Sequence, residues 1–243
     1  MSDQTSKTPV RFPSGVTNTF DTQKNRLAHS FGGPDPRRYI QYFNDFFVYA
    51  SGDWTKTDVG TSPTAALTDG AGGQLLLTAP NDNPGSTFLQ LVKQAFYPAT
   101  GYRMWFEAKW KVSNVATVDA VMGLQVTDTT PLAVSDGIFF KLTTGAATVD
   151  FLVEASSTAT TASAVATLAA DTFVRTGFYY NGVDEVQYYI DGVLKGESVA
   201  TNLPTAAGLS PSFGLKSNSA NARTMTIDYI WAAQERFNVS NKS

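Results

Sequence analysis

Paired carboxylates are the first chemistry to look for in this sequence, because two acidic side chains about 5–5.5 Å apart can hydrolyse a glycosidic bond. Glu107 lies on a segment of alternating polar and apolar residues. Its neighbours of the same parity are Trp105, Lys109 and Lys111, so none is a second acid. The next acids along the chain fall in or near predicted turns: Asp119, Asp128 and Asp136. The sequence therefore predicts no catalytic residue and a protein that is not an enzyme.

Other site chemistry has little support. His29 is the only histidine, and the chain has no cysteine, which excludes disulfides and thiolate metal sites. No phosphate-binding loop or dinucleotide-binding signature is present. The loop Asn81-Asp82-Asn83 carries oxygen ligands of the kind that Ca²⁺ prefers, but such residues also form turns for conformational reasons. We expect neither a metal nor a cofactor.

Charge is unevenly distributed along the 243 residues. Residues 1–40 carry six Lys/Arg and three Asp/Glu (+3), whereas residues 41–243 carry twelve against eighteen (−6). The acidic part has no basic stripe interleaved with aromatic residues, so we expect no nucleic-acid partner. The N-terminus lacks the apolar stretch of a signal peptide and no run of about 18 apolar residues exists, which predicts a soluble protein made in the cytoplasm.

Strand and turn signals predict an all-β fold. Asp191-Gly192 separates two β-rich segments and is typical of a two-residue hairpin loop. Pairing Ile190 with Val193 sets a register that directs Val193 and Val199 to the core and Ser198 to the other face. About a dozen short strands with turns between them favour an antiparallel two-sheet jelly-roll β-sandwich.

The alternation of polar and apolar residues predicts two further strands. In the predicted strand Tyr102–Val112, Met104 and the other even-numbered residues face one side of the sheet. Trp105 and the other odd-numbered residues face the opposite side. In the predicted strand Arg223–Ala233, the alternation places Tyr229 and Trp231 on the same face as Met225 and Ile227. The Ser/Thr/Ala-rich segment 156–170 predicts either an irregular edge strand or a mobile loop.

The chain divides into three parts. Residues 1–38 have no sustained periodicity and are interrupted by Gly and Pro, which predicts an extended N-terminal arm. Residues 39–236 form the predicted β-sandwich, and residues 237–243 a short C-terminal tail.

Three segments resemble the concanavalin A-like lectin/glucanase superfamily, which includes laminin-G-like jelly rolls: Gly177–Gly196, Met104–Val112 and Met225–Gln234. The resemblance implies the sandwich fold. Glucanases of this superfamily supply their catalytic acids from a Glu-x-Asp-x-x-Glu strand, and this sequence contains no such pattern.

The N-terminal segments Arg11–Thr19 and Gly32–Phe46 resemble the leader of virion structural proteins from tailed bacteriophages. This resemblance implies a capsid decoration, or cement, protein on the capsid surface, made in the host cytoplasm. Its partner would be the major capsid protein or another virion protein, and a homo-oligomer is expected, with a trimer by analogy. The residues predicted to contact the partner are Arg11, Phe12, Val16, Phe20 and Phe31.

The alternative is a glycan-binding, lectin-like module of a phage tail fibre or baseplate. Trp105 is predicted on the polar face of its strand, and Tyr189 lies opposite the predicted core face. Outward aromatic residues mark a contact surface, with either carbohydrate or protein.

Overall fold

The structure is a computed structural model that describes residues 39–236. Helices in this range are limited to two single-turn 3₁₀ helices, Ser51–Asp53 and Ala200–Asn202, and neither is long or apolar enough to cross a membrane. All other regular structure is β-strand: β1 Tyr39–Asn44, β2 Trp54–Val59, β3 Thr64–Thr68, β4 Gln74–Ala79, β5 Gly85–Leu91, β6 Met104–Val112, β7 Val118–Gln125, β8 Gly137–Leu142, β9 Thr148–Ala155, β10 Thr158–Thr167, β11 Val174–Tyr180, β12 Glu185–Ile190, β13 Val193–Val199, β14 Ser210–Ser217 and β15 Arg223–Glu235.

The strands form two antiparallel sheets, which confirms the predicted all-β sandwich. Sheet A has the order β13-β12-β11-β6-β15-β4-β3, and β1 pairs with the other half of β15. Sheet B has the order β10-β9-β8-β7-β14-β5-β2. Apolar side chains from the inner faces of both sheets make one large core, which includes Trp110, Phe106, Phe151 and Phe213. Burial of apolar side chains in this core supplies the main stabilising term of the fold.

The Asp191-Gly192 hairpin forms as predicted, because both turn residues adopt positive φ, 52° and 78°. Ile190 pairs with Val193, but the register shifts between Tyr188 and Tyr189. This bulge reverses the parity of the rest of β13. The prediction for the end of β13 is therefore wrong: Ser198 is buried and Val199 is exposed. Val193 is also exposed, contrary to the prediction, but it lies before the bulge and pairs with the buried Ile190, so the bulge does not explain its exposure.

The segment 156–170 contains an edge strand. Thr158–Thr167 pairs with β9 and forms one edge of sheet B, with a register shift between Ala162 and Ala166. Its single pairing partner explains why its alternation is weak in the sequence.

The outer surface of sheet B is partly covered by the chain itself. Val134, in the loop between β7 and β8, packs with Phe88, Val121 and Phe139 into a second, smaller apolar cluster. Lys141 anchors this loop by donating a 2.8 Å hydrogen bond to the carbonyl oxygen of residue 132. Within residues 39–236, no comparable cluster of buried apolar residues covers the outer surface of sheet A.

Candidate functional site

The outer surface of sheet A is built on the central strand β6. Its burial alternates strictly, with Met104, Phe106 and Ala108 buried and Trp105 and Glu107 partly exposed. The predicted outward orientation of Trp105 is therefore confirmed. On the neighbouring strand β11, Tyr179 pairs with Trp105, and both side chains lie on the same outer face.

A β-bulge in β15 brings two further aromatic residues to this surface. Ile227 pairs with Trp110 and Tyr229 pairs with Lys109, so Asp228 is an extra residue in the ladder. After the bulge, Ile230 and Ala232 are buried, whereas Tyr229 and Trp231 are partly exposed. The sequence prediction that groups Tyr229 and Trp231 with Met225 and Ile227 is wrong, because one extra residue reverses the parity of a strand.

Seven aromatic residues from five strands share the outer surface of sheet A, and we call this set the aromatic face. It extends across β1, β15, β6, β11 and β12, which at about 4.8 Å per strand spacing corresponds to roughly 19 Å. Its members are Tyr39, Phe43, Trp105, Tyr179, Tyr189, Tyr229 and Trp231.

Trp105 has the most contacts on the aromatic face. Its ring lies 5.4 Å from the ring of Tyr179 and 6.0 Å from that of Tyr39, measured between centroids. Tyr39 reaches it across Ala233, which separates Trp105 from β1 in the ladder. The guanidinium of Arg103 lies 5.7 Å from the centre of the Trp105 ring, within cation–π range. Trp105 is thus held in place by its neighbours.

Glu107 accepts a hydrogen bond from Tyr229. The Tyr229 hydroxyl donates to Oε1 of Glu107 over 2.5 Å. Burial raises the pKa of Tyr229 well above its ordinary value, and the hydrogen bond to Glu107 adds to the shift. Directly opposite Glu107 in the ladder lie Gly177 and Trp231, neither of which is acidic.

Ion pairs surround the aromatic face. Arg103 and Glu235 are joined by an ion pair of 2.5 Å, and this hydrogen bond is the main reason that the pKa of Arg103 is raised. Lys109 lies 2.5 Å from the carboxylate of Asp228, the bulge residue. The bulge is thus stabilised by an ion pair within the same strand pair.

Tyr189 also lies on the outer surface of sheet A, as predicted. Its hydroxyl donates a 2.7 Å hydrogen bond to Oε1 of Gln187, and burial raises its pKa. Sequence reasoning missed Tyr39, Phe43, Tyr179, Tyr229 and Trp231. The alternation in β11 could have predicted that Tyr179 faces outward. No local sequence signal predicts the bulge that exposes Tyr229 and Trp231.

The acids considered from the sequence lie far from Glu107 in the fold. Asp119 is in β7 of sheet B, where its carboxylate accepts hydrogen bonds from the Thr144 amide and the Asn218 side chain. Asp128 and Asp136 flank the loop over sheet B and bind local amides there. The core separates these acids from Glu107, so they do not form a catalytic pair with it.

Two carboxylates do approach each other beside the glycine loop that precedes β4. A Cβ at Gly72 would lie 3.7 Å from Asp45 and 3.8 Å from Asp228. Burial raises the pKa of Asp45, and the charge of Asp228 adds to the shift. Residues 39–236 contain no group of three or more acidic or histidine side chains that could hold a metal. Asp82, the acid of the loop considered for calcium, accepts a hydrogen bond from the Thr61 amide.

Arg11, Phe12, Val16, Phe20 and Phe31 lie outside the described residues, as does His29. Their proposed roles remain predictions.

The sandwich is similar to solved structures of several kinds at low sequence identity. A protein of unknown function, SO2946 from Shewanella oneidensis MR-1, matches with a TM-score of 0.57 and 14% identity, over 85% of this chain and 90% of that one. An endo-1,3-β-glucanase from Streptomyces sioyaensis matches with a TM-score of 0.59 and 12% identity, over 83% and 98% of the two chains. The carbohydrate recognition domain of Emp46p matches with a TM-score of 0.55 and 12% identity, over 78% and 94%.

These similarities establish a concanavalin A-like fold shared by glucanases and lectin-like domains. No curated protein matches the sequence. The model of the SO2946-like C-terminal domain matches residues 69–228, which is well over half of the chain. The chain therefore belongs to the SO2946-like C-terminal domain family.

Proposed function

We propose that this protein is a non-enzymatic structural protein of a bacteriophage virion, a capsid decoration protein that binds the shell and stabilises it. The aromatic face is the observation that carries the proposal. Tyr, Trp, Phe and Arg are the residue types enriched where proteins dock on one another. A surface that gathers seven aromatic side chains and Arg103 on one sheet has this composition.

The point at which the described chain begins supports the same function. Tyr39 is the first residue of β1, and its ring contacts Trp105. Residues 1–38, which carry the predicted anchors Phe12, Val16 and Phe20, therefore join the sandwich at the aromatic face. Arm and face would then engage one partner surface together, and repetition of this contact in a closed homo-oligomer would add avidity.

The contacts of Trp105 favour a protein partner over a sugar at this residue. Sugar binding needs an open aromatic ring, whereas Trp105 already contacts two aromatic rings and a guanidinium. A residue fixed in this way is preorganised for protein docking, because little side-chain freedom remains to be lost on binding.

Binding of the full-length chain to shells purified without it tests the proposal. Trp105→Ala and Phe12→Ala are expected to weaken binding at least tenfold each. The matched control is Val59→Ala, an exposed apolar residue on sheet B, which should bind like the parent. Undiminished binding by both test variants would contradict the proposal.

A glycan-binding, lectin-like module is the second candidate, and Trp231 favours it. Trp231 is partly exposed and takes part in none of the aromatic ring pairs formed within residues 39–236. It lies opposite Glu107, whose carboxylate could accept hydroxyl hydrogen bonds. A glycan array separates the candidates: saturable sugar binding that is lost in Trp231→Ala would support the lectin function.

A further inference from the structure

A small pocket lies at the start of β1, next to the point where the chain enters the sandwich. It has a volume of about 300 Å³. Its wall includes Ile40, Tyr97, Ala99, Tyr102 and Gln234. The Tyr97 side chain is 53% exposed, although its backbone amide is fixed by a 2.9 Å hydrogen bond to Oε1 of Gln234. The lining also includes Glu235 and Arg236, so the pocket combines apolar side chains with polar and charged ones.

Beside the pocket, β1 has an edge that is unpaired within residues 39–236, although the Tyr39 carbonyl accepts a 3.2 Å hydrogen bond from Nε of Arg236. β1 pairs with β15 on one side, and within residues 39–236 no strand pairs with its other side. Its sequence, YIQYFN, contains no charged residue and no proline, the residues that normally protect a sheet edge. Such an edge favours the addition of another extended segment.

Exposed apolar side chains continue along the same segment. Phe43 is 55% exposed, Phe47 73% and Val48 76%. Three large apolar residues within six positions form a patch of the kind that marks a contact surface. The edge and the patch thus follow one another along residues 39–48, and the pocket lies at the start of this segment.

We propose that the arm segment Leu27–Phe31 of the same chain docks here, with the Phe31 side chain in the pocket and the segment along the free edge of β1. We choose this segment as the occupant because it lies only a few residues before β1 in the chain. Phe31 precedes Ile40 by nine residues, a reach of at most about 30 Å. The intervening Gly32, Gly33, Pro34 and Pro36 are turn-forming residues that allow the chain to reverse.

This inference goes beyond the proposed function, because it divides the arm into two parts. Phe31 contacts the sandwich itself, and the distal anchors Phe12, Val16 and Phe20 are left for the partner. The division replaces the expectation that Phe31 contacts the capsid.

Disulfide trapping in the full-length chain tests the docking, since the natural sequence has no cysteine. The test variant carries Phe31→Cys and Ala99→Cys, and the matched control carries Phe12→Cys and Ala99→Cys. We expect at least tenfold faster intrachain disulfide formation in the test variant under mild oxidation. Equal rates in the two variants would overturn the proposal. A disulfide between two chains would also overturn it and assign the pocket to a second copy.

Hydrogen exchange gives a readout that does not depend on introduced cysteines. Phe31→Ala is expected to accelerate amide exchange in β1 at least tenfold, whereas Phe12→Ala should leave it unchanged. Unchanged exchange in Phe31→Ala would show that the segment does not cover the edge. Neither experiment involves a capsid, so failure here and failure of the proposed function can be told apart.

Discussion

The Tyr229 hydroxyl donates a 2.5 Å hydrogen bond to the Glu107 carboxylate, although the alternation of β15 counted from Met225 directs Tyr229 into the core. The bulge at Asp228 makes this contact possible. A single extra residue therefore places Tyr229 and Trp231 on the aromatic face.

Removal of the Tyr229 hydroxyl should destabilise the sandwich. Tyr229→Phe keeps the ring but leaves the partly buried Glu107 carboxylate without its donor, and we expect a loss of about 1–2 kcal/mol in the free energy of unfolding. Chemical denaturation measures it. Tyr97→Phe is the control, because Tyr97 is largely exposed, and its unfolding free energy should match that of the parent. Equal unfolding free energies for the parent and Tyr229→Phe would contradict a stabilising hydrogen bond between Tyr229 and Glu107.

The same hydroxyl gives a prediction for alkaline pH. The pKa of Tyr229 is raised in the folded protein, so its contribution to stability is present below the ordinary pKa of tyrosine and is lost as pH rises through the raised value. Absorbance of tyrosinate should show Tyr229 among the last tyrosines to ionise, and Tyr229→Phe should remove that late step. An unchanged late step in the variant would assign it to another tyrosine.

The ion pair at the bulge should matter more than an exposed one. Lys109→Met leaves the nearly buried Asp228 without its cation and next to Asp45, and we expect a loss of about 1–3 kcal/mol at neutral pH. Lys56→Met breaks the more exposed pair with Asp58 and should cost less than about 1 kcal/mol. Equal losses in the two variants would show that the bulge does not depend on Lys109.

Asp45 should oppose folding at neutral pH. Its pKa is raised by burial and by Asp228, so its favourable contribution is present below the ordinary pKa of aspartate and is lost as pH rises through the raised value. Asp45→Asn cannot ionise, and its melting temperature in EDTA should exceed that of the parent increasingly as pH rises. Asp69→Asn, at an exposed position, should melt like the parent.

Calcium provides the counter-test for the same pair of carboxylates. If Ca²⁺ raises the melting temperature of the parent but not that of Asp45→Asn, a cation bridges Asp45 and Asp228. A lower melting temperature of Asp45→Asn in EDTA would contradict the repulsion argument.

Glycoside hydrolysis should be absent. Glu107 is bound by Tyr229 and has no acidic residue opposite it in the ladder, so the arrangement lacks the second carboxylate that the reaction needs. Incubation with β-glucans should release no reducing ends. Turnover that disappears in Glu107→Gln would contradict this prediction.

The sequence predicts the fold correctly where local sequence signals are strong. The Asp191-Gly192 loop specifies its own turn through two positive φ angles, and the strict alternation of β6 orients Trp105 correctly. In both cases the determining interactions lie within a few neighbouring residues.

Predictions failed where one extra residue reverses a strand. The bulges in β15 and β13 reverse the orientation of Trp231 and Ser198. The inserted residues are Asp228 and Lys195, and neither residue type specifies a bulge by itself, although Gly196 follows Lys195. Cross-strand partners such as Lys109, which are distant in sequence, stabilise the β15 bulge. Two of the seven residues of the aromatic face, Tyr229 and Trp231, could therefore be found only from the paired strands.

The proposed virion role is tested most directly by the copy number of this chain in purified particles of the phage that would, under the proposal, encode it. Quantitative mass spectrometry should find the chain in a copy number comparable to that of the major capsid protein, as a decoration protein requires. A few copies per particle would instead indicate a tail fibre or baseplate component. Absence of the chain from the particles would contradict a virion role altogether.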